Sequence, residues 1–370
     1  MEHDTVTESL GADRRAWLAG VGAAMMSSWD ARIGLGDDDS VPVIATATSD
    51  IDAAVSRGID FLIKAQRPNG AIADRGFDIA ISSLVIIAMA AAGSRPNQAQ
   101  RGLAMQMAID FVLSDGHQDE QGYFGKADGS RMYGHGITTW MLSEILKSKT
   151  ESQQEKILRD ALIPATDLIL AAQEIAKAEN EMGGWHYTPD QQTSDLSVSV
   201  WQLIALRSAK DNGVDITGQV FEKALVYLRS LFTFVDQAGD AQGNESGMFR
   251  YRLGIAPTFS MTAAGLSAMQ LCGSSDGPMA KAASNWLLKY HPEKNERFLY
   301  YGLFHYAHGM HNAGGPFSQR AAKIVPDLLL DLQRDDGAWL PTGSEERNYG
   351  TVYCTALTIL GLTAGTEKPE

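Results

Sequence analysis

The sequence predicts an all-α fold of twelve helices in six pairs, an inner ring wrapped by an outer one. Three observations predict it: helical periodicity along nearly the whole chain, no convincing strand alternation, and a short punctuating element that recurs between helices. That element is clearest near the C-terminus, in LQRDDGAWLPTGSEERNYGTVYCTALTILGL, where Gln333, Gly337 and Trp339 stand between two apolar stretches. Gln66, Gly70 and Ile72 repeat the spacing, and so do Gln118, Gly122 and Phe124. Looser copies follow at Gln173 with Gly184 and Trp185, and at Gln242 with Gly247 and Phe249.

The helices fall into two compositional sets. One covers roughly 51–66, 99–114, 153–178, 218–235, 279–290 and 319–333 and carries more Lys, Arg, Asp and Glu, as expected of an outer ring with one wet face. The other covers roughly 78–93, 134–147, 195–210, 259–272, 299–311 and 350–364. It is rich in Ala, Gly, Ser and Thr, as in AISSLVIIAMAAAG, which suits helices surrounded by neighbours. In the recurring element, glycine just past a helix end supplies the left-handed backbone that stops the helix. The glutamine amide can satisfy orphan backbone groups there, and the aromatic can wedge adjacent pairs together.

Composition narrows the function. The chain has 370 residues, 44% of them apolar and 21% charged, enough for a large core. Its net charge of −14 and the lack of any basic block argue against nucleic acid. Two cysteines, Cys272 and Cys354, imply no disulfide framework. The N-terminus has Arg14-Arg15-Ala16-Trp17-Leu18 before a short apolar run to Met26, a pattern similar to a twin-arginine export signal. Residues 1–48 are therefore read as an export leader and 49–366 as one domain, with a periplasmic location expected and a cytoplasmic one the alternative. Ala45-Thr46-Ala47 is the nearest candidate cleavage site, and no stretch is long enough to span a bilayer.

The run Arg57-Gly58-x-x-Phe61-Leu62-Ile63-x-x-Gln66-x-x-x-Gly70 resembles the QW motif of squalene and hopene cyclases, which has relatives in the β-subunits of protein prenyltransferases. The resemblance spans roughly residues 50–365 and implies an (α/α)6 toroid of six inner and six outer helices, with a cavity at one end. The fifth pair lacks the Gln and the Gly-x-aromatic turn, though Trp286-Leu287-Leu288 keeps its helix. The family's chemistry does not transfer directly. No Asp-x-Asp-Asp acid motif and no Asp-Asp-x-x-Asp magnesium motif is present; Asp37-Asp38-Asp39 lies in the leader and Asp335-Asp336 in a repeat turn. The prenyltransferase zinc set is reduced to Cys354, which is not a site by itself. No metal and no cofactor is assigned.

Candidate residues then come from inner-helix starts, where the resemblance puts the cavity mouth. Asp195 and Asp78 open two of these helices and are candidate general acids, each with an ordinary capping role as the alternative. Asp195 is preferred because Trp185, His186 and Tyr187 lie just upstream. Tyr133, His135 and Trp140 on the second, Tyr349 and Tyr353 on the sixth, and Tyr300, Tyr301, His305 and His308 on the fifth inner helix are expected to line the cavity. His305, His308 and His311 recur every three residues, so two of them can share a helix face and one metal. Three functions follow: a terpenoid cyclase or transferase acting on an isoprenoid, a non-catalytic toroid that binds a lipid or a protein, and a carbohydrate-active enzyme using Asp78 and Asp195 as a pair. The expected partner is an apolar small molecule.

Overall fold

The computed structural model of the chain describes residues 42–147, 152–235 and 245–365. The arginine pair of the leader and Gln242 lie outside the described residues. Among the described residues the outer helices are α1 (Pro42–Lys64), α3 (Ala99–Val112), α5 (Ser152–Gln173), α7 (Gln219–Leu231), α9 (Pro278–Lys289) and α11 (Gly315–Leu330). The inner ones are α2 (Asp78–Ala91), α4 (Arg131–Lys147), α6 (Leu196–Asp211), α8 (Phe259–Leu271), α10 (Leu299–Ala313) and α12 (Gly350–Leu362). Each inner helix packs on the next, and α12 packs back on α2, so the ring closes. This is the (α/α)6 toroid expected from the sequence. No described helix is long and apolar enough to cross a membrane.

Small residues let the inner helices touch. A side chain at Gly136 on α4 would strike the amide of Gln202, which reaches from α6 to donate to the carbonyl of Met132 at 2.8 Å. The outer helices are fastened by the recurring glutamines, each of which donates its amide twice. Gln66 donates to Gly70 O and to Ala104 O on α3, at 3.0 and 2.8 Å. Gln118 does the same to Gly122 O and to Ala161 O on α5, at 3.0 and 2.8 Å. Gln173 joins Gly183 O to Val220 O on α7, at 2.9 and 3.0 Å. Gln333 joins Gly337 O to Ala54 O on α1, at 3.0 and 2.8 Å, linking the last outer helix to the first. The turn glycine of the third copy is thus Gly183 (φ 93°), not Gly184, and the extra residues before it are absorbed in a loop.

The residue two positions after each turn glycine, and after the strand glycine Gly247, is held by a second recurring bond. The backbone N–H groups of Ile72, Phe124, Trp185, Phe249 and Trp339 donate to Ser82, His135, Ser199, Thr262 and Thr355, which all lie on inner helices. One departure from expectation is local. The outer helix expected to run to residue 235 stops at Leu231, and β1 (Phe232–Val235) pairs antiparallel with β2 (Ser246–Phe249). Aromatic and β-branched residues in Phe-Thr-Phe-Val favour a strand, and Phe232 meets Phe249 edge-on at 5.0 Å. Helix α1 begins at Pro42 and contains Ala45-Thr46-Ala47.

Candidate active site

The inner-helix N-termini open onto one cavity of about 720 Å³. Its wall includes Phe77, Tyr133, Tyr187, Trp201, Tyr251, Phe298, Tyr301, Tyr349 and Tyr353, with Leu84, Ile137 and Met261 between them. Trp201 and Tyr301 are buried and the other rings half-buried, as expected of side chains that face an open chamber left along the axis by small-residue inner helices. Trp201 and Phe304 stack at 5.6 Å near its floor.

Asp195 stands behind this wall. It is the N-cap of α6, fully buried, and its Oδ1 accepts from Val198 N and Ser197 Oγ, both at 2.8 Å. Its Oδ2 accepts from the Tyr251 hydroxyl at 3.1 Å, and His186 Nε2 lies 3.5 Å away. Two short links carry this network to the cavity. Ser197 Oγ lies 2.5 Å from the Tyr133 hydroxyl, and the Tyr251 hydroxyl lies 2.6 Å from that of Tyr187. Burial raises the carboxyl's pKa, opposed by the Val198 N–H, His186, Ser197 and Tyr251. The arrangement is a carboxyl whose proton affinity is increased by desolvation, connected through hydroxyls to an aromatic-lined chamber.

The other expected site residues divide. Tyr133, Tyr301, Tyr349 and Tyr353 line the cavity, Tyr349 packing between Tyr353 (5.0 Å) and Phe77 (6.2 Å). Asp78 does not join Asp195. Arg67 grips it with two nitrogens, at 2.5 and 3.3 Å, so it is an ion-paired carboxylate in a separate network. His135 is not in the wall either: Nδ1 accepts from Phe124 N at 3.4 Å and Nε2 faces Ala165 O at 3.0 Å, so it serves the recurring bond between the rings. Burial pushes its pKa down to about 4. Trp140 packs behind Trp201 and donates to Glu144 at 3.0 Å, and Tyr300 turns outward to donate to Leu340 O at 2.7 Å.

The histidines of α10 do not converge. His305 is buried below Tyr301 and against Trp201, at 4.6 and 5.7 Å, while His308 packs on Phe304 at 5.0 Å. Burial lowers their pKa values to about 3 and about 4. His311 is exposed beside Ser318. Among the described residues no three His, Cys, Asp or Glu side chains converge as metal ligands. Cys354 is a buried packing residue of α12.

Four residues of the site were not singled out from the sequence: Ser197, Trp201, Tyr251 and Phe298. For Tyr251 a signal existed. It follows Phe249 by two positions, as Tyr187 follows Trp185, so the repeat itself marks both tyrosines. Glu346, outside the cavity wall and fully buried, was not singled out either. Its Oε1 accepts from Tyr300 N and Tyr301 N at 2.9 and 3.4 Å, capping α10, while its Oε2 has no partner among the described residues. Burial raises its pKa from 4.5 to about 7.

Solved structures share this architecture. A type II terpene cyclase from Scytonema, captured with geranylgeranyl dihydroxybenzoate, is 16% identical with a TM-score of 0.52, covering 87% of this chain and 98% of its own. An inactive variant of an α-1,6-mannanase from Salegentibacter, bound to α-1,6-mannotriose, is 11% identical with a TM-score of 0.57, covering 85% and 98%. A protein from Actinoplanes is 16% identical with a TM-score of 0.53, covering 85% and 100%. The likeness is one of fold. No protein-family model matches the sequence, and no curated protein matches it.

Proposed function

We propose that the protein takes an isoprenoid into the toroid cavity and protonates it with Asp195 as the source of the proton. The observation that carries this reading is the buried Asp195 carboxyl, joined through Ser197 to the cavity-facing Tyr133 and directly to Tyr251. The proton passes along the hydroxyls to one carbon of a C=C bond, and the π electrons form the new C–H bond. The cation left on the other carbon is attacked by a neighbouring double bond. Loss of a proton from the final cation restores the count, so the reaction is a net isomerisation. Aromatic faces such as Trp201 and Tyr301 stabilise the positive charge, and the apolar wall keeps water from quenching it. The cyclase that shares the fold acts on a geranylgeranyl compound, which supports the same substrate class.

A second reading is a lipid-binding toroid without turnover. The observation that favours it is the cap itself, since Oδ1 of Asp195 does for α6 what Thr258 does for α8, where Met261 N donates to its hydroxyl at 3.2 Å. A sugar-cleaving role, suggested by the mannanase, would need two carboxylates facing one space. Asp78 and Asp195 belong to separate networks, so that pair would have to come from the rim, where Glu296 and Glu345 both line the cavity.

The deciding experiment incubates the protein with squalene and with geranylgeranyl compounds and analyses products by mass spectrometry, beside the Asp195→Asn variant. Asn is also a good helix cap, so the fold is retained. A cyclised product that falls by about 10²-fold or more in the variant fits a general acid. Ligand retained without product in both proteins supports the binding reading, and an unaffected variant removes Asp195 from the chemistry.

A further inference from the structure

The cavity mouth carries a feature that a hydrocarbon ligand does not require. The chain is strongly acidic, yet Arg131 and Arg297 line the cavity mouth and Arg252 adjoins it next to the lining Tyr251, each over an aromatic ring: Tyr187 at 5.8 Å, Phe298 at 5.4 Å and Tyr251 at 5.3 Å respectively. Arg297 is neutralised by Glu345 at 2.8 Å, and the other rim carboxylate, Glu296, accepts from the Tyr290 hydroxyl at 2.6 Å. Arg131 and Arg252 have no carboxylate partner among the described residues. Their two tyrosines are joined hydroxyl to hydroxyl at 2.6 Å, so the guanidinium groups flank a single rigid platform.

The backbone at Arg131 adds an independent sign. It has φ 58°, a left-handed conformation that a non-glycine residue rarely adopts, fixed by Arg131 N donating to Gly125 O at 2.8 Å and Met132 N donating to Tyr187 O at 3.0 Å. The same residue therefore starts α4 and lays its guanidinium on the ring of the residue that caps it. Glycine would meet the backbone demand more easily, and strain of this kind collects at ligand sites. The inner-helix N-termini add their positive dipole ends on the same side.

From this we infer that the cavity is built for an amphiphile with an anionic head group, a carboxylate or a phosphate, held by Arg131 and Arg252 while the apolar tail lies against Trp201 and Tyr301. The inference rests on the isoprenoid reading of the cavity and specifies the class of substrate. Guanidinium groups suit carboxylate and phosphate through paired N–H donors, and stacking on tyrosine orients them before the ligand arrives.

The test measures binding to the full chain by quenching of tryptophan fluorescence, using geranylgeranyl diphosphate, geranylgeranoic acid and geranylgeraniol. At least one anion is expected to bind about tenfold or more tightly than the alcohol, the scale of a charge-assisted hydrogen bond. A preference for the diphosphate alone identifies the head as phosphate, and for the acid alone as carboxylate. In the double variant Arg131→Gln, Arg252→Gln the ratio should fall toward one, while Lys223→Gln, a substitution on outer helix α7, keeps the wild-type ratio. Circular dichroism checks that the variants fold. Alcohol binding as tight as both anions, or a double variant with an unchanged ratio, overturns the inference and leaves the isoprenoid cavity standing. Failure of all three probes to bind overturns both.

Discussion

The Tyr251 hydroxyl, reaching over from the strand-to-helix loop before α8, donates to Oδ2 of Asp195 at 3.1 Å, so two different repeats meet at one carboxyl. The bond favours the ionised form of the acid, against the burial that favours the neutral one. If Asp195 supplies the proton, activity requires its protonated form and declines as pH rises through its pKa. Tyr251→Phe removes a group that lowers that pKa, so the alkaline limb of the pH–rate profile should move to higher pH. A limb that stays in place would detach Tyr251 from the acid.

Asp78 is the contrasting case. Its carboxylate is paired with Arg67, and both side chains are partly exposed, 30% and 41%. Asp78→Asn should leave turnover within about twofold and cost no more than about 1 kcal/mol in urea denaturation, as for other exposed pairs. Turnover lost in this variant would return Asp78 to the acid's role.

Glu346 predicts a pH dependence of stability. Its folded-state pKa, about 7, is raised above the ordinary 4.5 by burial. The stability that the protonated group contributes is complete below 4.5 and is lost as pH rises through about 7. The melting temperature should therefore fall across that window, by an amount on the order of a few °C. Glu346→Gln keeps an oxygen for Tyr300 N and Tyr301 N but cannot ionise, and its melting temperature should be flatter with pH. Parallel curves for the two proteins would exclude Glu346 as the cause.

Ring closure gives a fourth expectation. Gln333→Ala removes both amide bonds that tie Gly337 and Ala54 together, leaving two buried carbonyls short of a donor, at a cost of about 1–3 kcal/mol. Far-UV circular dichroism should not change while the urea midpoint drops. Gly337→Ala should cost more, because φ is 91° and its Cβ would lie 2.3 Å from the carbonyl oxygen of Arg57, a backbone atom with no rotamer to move. A variant as stable as wild type would show that the turn relaxes.

Much of the architecture was readable before any coordinates. Gln66, Gln118 and Gln333 stand four residues before their glycines, and that spacing reflects bonds that are local on one side, from the amide to the turn carbonyl. The site was less readable. Tyr133, Tyr301, Tyr349 and Tyr353 were expected at the wall because helix starts cluster at the cavity end. Trp140 lies two turns further along its helix and packs deeper, behind Trp201, while His135 and Tyr300, only one or two positions from Tyr133 and Tyr301, face other elements. A difference of one or two residues rotates a side chain by 100° or 200° around a helix, and no pattern in this chain marks which face looks inward when inner helices are buried on every side.

The sequence by itself determined the helix pairs, the turns between them and the residue types that fasten ring to ring, because these depend on contacts within a repeat and between neighbours. Only the tertiary structure decided that Asp195 has Tyr251 as a partner and Asp78 has Arg67, that His311 parts from His305 and His308, and that Arg131 and Arg252 lean on joined tyrosines. Those relationships join residues far apart in the chain or on differing helix faces. Closing the toroid brings them together, and burial there changes a carboxyl's proton affinity in a way that no local spacing encodes.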